Sequence, residues 1–275
     1  MGRAIEVVAG FATNPGATLT TLTPSTNTSF TVRGTDTTKN AWLVTGWAFN
    51  ATAGEFLIKS PRLHDNVQGI RSRVTAAFTV PLFNTPYNTL PRQRLYAQDN
   101  LTVQISGGGA ELDCGAILIY YEDLAGVAGR FIDIPTITKS GINLVTAEVT
   151  ITGVATGNFG GAVAINSTFD TLKANTDYAI LGGMTDTRGT AVRITGVDLG
   201  NVGLGFPAEP SLRDLTNNWF VDVAYALGLP SIPVINSANK SAITIDVETN
   251  GAGGTYIVNL ILLEMAAGAV GATGL

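Results

Sequence analysis

The stretch LTVQISGGGAELDCGAILIYYED, Leu101–Asp123, is echoed at Ile243 as ITIDVETNGAGGTYIVNLILLEM. A shift of 142 positions carries Leu101, Val103 and Ile105 onto Ile243, Ile245 and Val247. The same shift carries Gly109 onto Gly251, Leu118 and Ile119 onto Leu260 and Ile261, and Glu122 onto Glu264. Apolar residues alternate with polar ones before the glycines, as one buried strand face requires. The glycines Gly107–Gly109 are expected to supply the positive φ of a tight reversal. The return strand, Ala116–Tyr121, is apolar at nearly every position, which predicts cover on both faces. Ile257–Leu263 is equally apolar apart from Asn259, and carries the same expectation. Such final strands predict that the two copies pack on each other or on another subunit. Glu122 and Glu264 are expected where each strand meets water.

The echo is collinear along the chain. KNAWLVTGW at Lys39–Trp47 matches NTDYAILGG at Asn175–Gly183, placing Trp42 on Tyr178, a pair expected in the core. Phe56 and Ile58 fall on Val192 and Ile194, Gly69-Ile70 on Gly205-Phe206, Phe78 on Phe220, and Leu90-Pro91 on Leu229-Pro230. Small changes of offset between blocks are what loop insertions produce. The pattern reads as a tandem duplication. Its period is too long for a solenoid or a propeller blade, so each copy is a domain. Alternation and turn residues place strands near 4–10, 28–33, 42–49, 55–60, 74–80, 94–98, 101–106 and 115–121. The second set lies near 145–152, 161–166, 178–183, 190–197, 218–224, 232–236, 243–248 and 255–263. Eight antiparallel strands per copy fit a jelly roll, two packed sheets. An immunoglobulin-type sandwich is the competitor, but the Cys–Trp–Cys pattern of antibody domains is missing. The expected fold class is therefore all-β, with two tandem eight-stranded antiparallel jelly-roll sandwiches. Residues 1–123 form the first, 124–141 a linker with a short helical turn, 142–265 the second, and 266–275 a C-terminal arm. VPLFNTPYNTLPR, Val80–Arg92, reads as a long proline-bearing loop.

Composition narrows the function classes. Of 275 residues 13 % are charged and 45 % apolar, which disfavours disorder. The net charge of −5 argues against a nucleic-acid packager with a basic stripe. Residues 1–140 hold 11 Lys/Arg against 10 Asp/Glu, whereas residues 141–275 hold 5 against 11. That asymmetry suits an interface between the halves, and equally two solvated surfaces. Cys114 is the single cysteine, so no internal disulfide forms. The opening MGRAIEVVAG has no signal-peptide core, and Glu6 breaks the myristoylation pattern. Tyr256–Met265 is too short to span a bilayer. A soluble protein made in a cytoplasm is expected.

No catalytic set stands out, and no catalytic, cofactor-binding or metal residue is assigned. His64 is the single histidine and lacks a partner at ligand spacing. Cys114 reads as a small buried thiol, since a nucleophile wants an electropositive site. The Gly107–Gly109 run is followed by neither a helix nor Lys-Ser/Thr, so it is not a phosphate loop. DTRGT and GNFGG lack the alternating acids of a calcium loop. Glu111/Asp113 and Asp246/Glu248 have a spacing that glycosidase acids use, but exposed strand faces use it more often. Arg62, Arg71, Arg73, Arg92 and Arg94 are either a contact for an acidic neighbour or lipid head groups, or ordinary surface ion pairing. Trp42, Trp47, Tyr120, Tyr121 and Trp219 could line a sugar platform or fill the core.

With its repeated hairpins Leu101–Tyr121 and Ile243–Leu263 and the repeated Leu90-Pro91/Leu229-Pro230, the chain resembles the double jelly-roll major capsid proteins of tailless icosahedral viruses. The compact ones of membrane-containing bacteriophages are the nearest in kind. The resemblance is architectural and carries no site residue. It implies a structural virion protein, not an enzyme, without cofactors. It implies a homotrimer forming pseudo-hexagonal capsomers that tile an icosahedral shell. The implied partners are neighbouring capsomers, other virion proteins and an internal membrane, with no sequence-specific nucleic-acid contact. A tandem β-sandwich binding module, lectin-like or a spike or fibre head that recognises glycan or receptor, is the alternative. A glycoside-active enzyme on the same fold is a third reading.

Overall fold

Alternating sequence becomes nineteen strands among the described residues. The structure, a computed structural model, describes residues 2–34, 41–50, 52–63, 66–75, 77–79, 93–107, 112–124, 129–152, 154, 156–165, 171–226, 231–249 and 254–271. The first half carries β1 (Gly2–Thr13), β2 (Gly16–Thr21), β3 (Thr23–Pro24), β4 (Ala41–Asn50) and β5 (Gly54–Lys59). It continues with β6 (Ile70–Val74), β7 (Ala77–Thr79), β8 (Gln93–Leu95), β9 (Thr102–Gly107) and β10 (Leu112–Leu124). The second half opens with β11 (Phe131–Asp133), α1 (Ile134–Ser140), β12 (Gly141–Ile151), β13 (Phe159–Ala164), β14 (Asp177–Thr185) and β15 (Ala191–Thr195). It closes with β16 (Leu204–Pro207), α2 (Arg213–Thr216), α3 (Trp219–Ala226), β17 (Ser231–Asn236), β18 (Thr244–Glu248) and β19 (Tyr256–Met265). The chain is all-β, built of antiparallel sheets.

Each half contributes two sheets in matching order. In the first half one sheet runs β3-β1-β10-β4, with β7 and β8 both on the outer edge of β4, and the other runs β2-β9-β5-β6. In the second half the orders are β12-β19-β14-β17-β11 and β13-β18-β15-β16. The irregularities match as well. A register shift falls between Gly2 and Ala4 on β1 and between Gly141 and Asn143 on β12. Another leaves Val44 extra between Leu43 and Thr45 on β4, and Leu181 extra between Ile180 and Gly182 on β14. A bulge is a local insertion that turns side chains to the other face, so matching bulges fix which positions correspond.

That correspondence corrects the sequence register. Val103 and Ile105 do correspond to Ile245 and Val247, and all four point inward. On the last strand, however, Ile119 pairs with Leu43 just before the β4 bulge, as Leu262 pairs with Ile180. Ile119 therefore matches Leu262, not Ile261, and the shift grows to 143. A one-residue slip exchanges the two faces of a strand. By the same bulge, Ala41 matches Tyr178, whereas Trp42 lies on the opposite face, half-buried, its Nε1 donating to Glu122 at 3.3 Å. Gly205 matches Arg71, since Gly205 opposes Arg193 and Arg71 opposes Leu57.

Four expected features change. Residues 218–224 are not a strand: all but the first lie in α3. Trp219, Phe220, Val223 and Ala224 are buried there, which is helical spacing, although the valines and aromatics read as β-formers. Residues 28–33 form only a bridge, Thr31 to Asn100, with Phe30 and Val32 buried beneath it. β2 holds the sheet position instead; its polar, half-exposed face carries no apolar alternation. Within the expected linker the helical turn is present as α1, N-capped by Asp133, whose side chain accepts from Thr136 N, but residues 131–133 add a strand, β11, that pairs with β17. Gly107 has no positive φ; a Cβ there would sit 2.7 Å from Asp113 Oδ2, so close approach explains the glycine. Residues 80–92 and both Leu-Pro pairs lie outside the described residues. At the other end, Ala269 and Val270 pack on the core.

Both faces of β10 are covered. Cys114–Tyr121 are all buried. Ile117, Ile119 and Tyr121 enter the core of the first half with Phe56, Ile58 and Val103. Ala116, Leu118 and Tyr120 face the other way, joining Ile5, Val7 and Trp47 in a core that continues into the second half. There Val7 N donates to Gly203 O at 2.7 Å, and Trp47 meets Trp219 edge to face at 5.6 Å. Fully burying Ile5, Val7 and Leu118 contributes about 1.5–3 kcal/mol each. That rivals the roughly 5–15 kcal/mol net stability of a whole domain. The halves are thus one block.

β1 reaches β16 because Gly205 has no side chain: a Cβ there would lie 2.3 Å from Val7 Cγ1. Gly205→Val is expected to destabilise the protein by about 1–3 kcal/mol, as overpacking does. Urea unfolding followed by tryptophan fluorescence measures this; an unchanged midpoint would mean the approach is not real.

Candidate functional site

The polar positions of β18 point out of the second sandwich and into the joint. The alternation Thr244-Ile245-Asp246-Val247-Glu248 reads as one dry and one wet face. The supposedly wet face is instead closed by the first half: Asp246 is 8 % exposed and Glu248 0 %. The expectation of exposed carboxylates fails because packing of the halves, invisible in local alternation, buries them. Asp113 is buried on the other side of the joint, and Glu111 lies outside the described residues.

The buried carboxylates are treated differently. Glu6 accepts from Arg33 Nε at 2.8 Å and Nη2 at 2.6 Å, and from the Tyr121 hydroxyl at 3.0 Å. Asp246 takes Arg193 in a two-point pair, Nε to Oδ1 at 3.0 Å and Nη2 to Oδ2 at 2.5 Å. Arg193 also stacks 4.1 Å over the Phe159 ring and reaches Thr26 O across the joint at 3.4 Å. Burial raises the Asp246 carboxyl, with Arg193 pulling the other way. Glu264, expected in water, is 5 % exposed and accepts from Lys173 Nζ at 2.6 Å and Asn143 Nδ2 at 3.0 Å. Those donors hold its carboxyl below the usual range.

Glu248 has no cation of its own. Its Oε1 accepts a short hydrogen bond from Ser25 Oγ of the first half. Its Oε2 makes no hydrogen bond of normal length and angle among the described residues, nor does Thr190 Oγ1 beside it. Burial pushes the carboxyl up to about 8, only partly offset by the Ser25 and Thr190 hydroxyls and the charge of Arg193. Cys114 sits next to this group, and burial followed by the charge of Glu248 drives its thiol well up. The thiol itself is fully buried, as a small core side chain is. Among the described residues no three His, Cys, Asp or Glu side chains are placed to hold a metal ion. His64 lies outside the described residues.

The other singled-out residues separate. Arg71 and Arg73 share Glu55, each at 3.0 Å. Arg62 and Arg94 instead flank the Tyr96 ring at 5.7 and 5.4 Å. The arginine cluster is two unrelated pairs, and Arg92 lies outside the described residues. Trp47, Tyr120, Tyr121 and Trp219 are at most 3 % exposed and cannot present a sugar platform. No described helix is long and apolar enough to cross a membrane.

One surface has no counterpart in the sequence reading. By the bulge correspondence, Leu144, Thr146, Ile261 and Leu263 occupy the places of Ile5, Val7, Leu118 and Tyr120. The latter four are buried in the joint. The former are open: Leu144 is 66 % exposed, Thr146 is exposed, and Ile261 and Leu263 are half-buried, with Ile142 exposed nearby. The expectation of cover on both faces thus holds for β10 and fails for β19 within one chain.

No family model and no curated protein matches the chain. Among solved structures, the PBSX exported protein XepA aligns with 9 % identity and TM-score 0.25, over 94 % of this chain and 86 % of that one. The STIV MCP aligns with 10 % identity and TM-score 0.25, over 100 % and 91 %. The structure of Sulfolobus Turreted Icosahedral Virus gives 10 % identity and TM-score 0.22, over 96 % and 82 %. Superpositions this loose assign no function.

The raised carboxyl sets a pH dependence. A folded-state value of about 8 against 4.5 for the free group means that the folded chain holds this proton more tightly. The resulting stability is fully present below about pH 4.5 and is lost as pH rises through about 8. Thermal melts between pH 5 and 9 are expected to show Tm falling with pH. Glu248→Gln should flatten that fall and raise Tm at pH 9. Parallel profiles for the two proteins would contradict it.

Proposed function

We propose that the chain is a structural virion protein, a major capsid protein made of two tandem eight-stranded jelly rolls, residues 1–123 and 142–265. It self-associates into trimers, six sandwiches in a pseudo-hexagonal capsomer, and capsomers tile an icosahedral shell with other virion proteins. The observation that carries this reading is the repeated sheet order, with bulges at matching positions, joined to an apolar sheet face that one half buries and the other leaves open. Two sheets of four main strands in this order are what a jelly roll has. Fold alone does not dictate function. The open face supplies the second support: an apolar patch of this kind marks an interaction surface.

A neighbouring copy is the natural cover. Closed rings arise when one surface of a protomer meets a different surface of the next. The neighbour does not seat by repeating the internal joint, because Arg71 stands where the joint needs Gly205. Contacts between copies and the contact within a chain therefore differ in detail, and assembly sums many modest interfaces.

Single-particle electron microscopy and sedimentation of the purified chain test this. A three-fold particle of three chains is expected. Leu144→Arg, at an exposed position, should shift the species toward monomer while leaving the melting profile of the monomer intact. A wild-type monomer at tens of micromolar, or a slender fibre-like trimer, would move the weight to a glycan- or receptor-binding module.

A further inference from the structure

The internal joint contains a polar contact that its apolar packing does not need. The turn after β3 is held by its own bonds: Ser25 N donates to Ala9 O at 2.9 Å, and Thr28 N to Ser25 O at 3.0 Å. The same turn reaches across to the second half at three points. Thr26 Oγ1 donates to Asn158 Oδ1 at 2.6 Å, Thr26 O accepts from Arg193 at 3.4 Å, and Ser25 Oγ donates to Glu248 Oε1. The first two contacts lie at the rim, since Thr26 is exposed. The third is sealed: Glu248 is fully buried, and its Oε2 has no hydrogen bond of normal geometry among the described residues.

The geometry points to a latch: we propose that the Ser25–Glu248 contact closes the turn onto the second half while Glu248 is protonated, and that ionisation of Glu248 releases the turn without unfolding either sandwich. A proton on Oε2 gives this oxygen something to donate, and Thr190 Oγ1 is the acceptor beside it. Without the proton, the carboxylate has only the Ser25 and Thr190 hydroxyls to draw on in a site closed to water, and these offset only part of the cost of its burial. Of the charged groups around the site, Arg193 favours the ionised carboxylate, but by less than burial opposes it. From β10, Cys114 and Asp113 add no positive charge, and Asp113 and Glu248 both push the Cys114 thiol up. On β15, Arg193 is committed to Asp246 of β18. Arg188, just before Thr190, is committed to Glu209 at 2.5 Å. On β19, Tyr256 faces Thr249, one residue beyond Glu248. Swinging the turn outward admits water to the carboxylate and leaves Val7, Trp47 and Leu118 packed. The latch belongs to the single chain and does not depend on the capsid reading.

Cys114 is the probe, because it is the only cysteine, fully buried, and beside the latch. Its rate of reaction with a maleimide, divided by that of a free thiol peptide at the same pH, reports opening alone. Between pH 6 and pH 9 the normalised rate of the wild-type chain should rise about ninetyfold, following the ionised fraction of a group at about 8. Far-UV circular dichroism should not change. Glu248→Gln should hold the rate at its low value throughout. Ser25→Ala, which removes the donor without burying anything new, should be fast already at pH 6. Equal pH profiles for wild type and Glu248→Gln would overturn the latch. So would loss of the β signal at pH 9 together with the rise, since that is unfolding.

Discussion

Everything in this molecule depends on one contact, the seating of β1 and β10 on the second half. The first sandwich turns Ile5, Val7, Leu118 and Tyr120 away from its own core, and these residues would face water in an isolated domain. The second sandwich receives them at β15 and β16, where Gly205 lets Val7 approach and Trp219 meets Trp47. The gain is mainly apolar burial. Several ion pairs, such as Arg33–Glu6, Arg188–Glu209 and Lys173–Glu264, lie within one half. The charge difference between the halves is therefore not needed for their meeting.

The joint also explains the polar anomalies. Asp246 and Glu248 are outward residues of an ordinary strand until the first half covers them. Asp246 is paired directly with Arg193, whereas Glu248 has hydroxyls beside it and no ion pair of its own. The same covering makes Cys114 inert and places it beside a carboxyl that prefers its proton. An apolar interface thus encloses one titratable weak point.

Much of the architecture was legible in the chain. The echo between Leu101 and Ile243 marks equivalent strands, and the apolar run Ala116–Tyr121 announces a sheet covered on both sides. What stayed hidden was register. The extra residue that separates Ile119 from its true counterpart Leu262 falls in the turn between the last two strands, where sequence matching is weakest. A period of two makes that single residue decide which face is core. It is why Ile261 and Leu263 do not announce an open surface, and a separate one-residue slip on the earlier strand makes Trp42 rather than Ala41 look equivalent to Tyr178. Helix α3 is hidden because WFVDVA favours strand by residue type, and its burial at helical spacing emerges only from packing against β14 and β17. Glu248 is hidden for a different reason: its burial is a property of two halves, which no local pattern carries.

Native-state hydrogen exchange on the full chain tests the shared joint most directly. If the halves are one block, the amides of Ala116–Tyr121 on β10 and of Val192–Ile194 on β15 exchange through a common opening, with the same free energy and the same denaturant dependence. If β10 opens while β15 stays protected, the halves are separate bodies that merely touch, and the shared joint is contradicted.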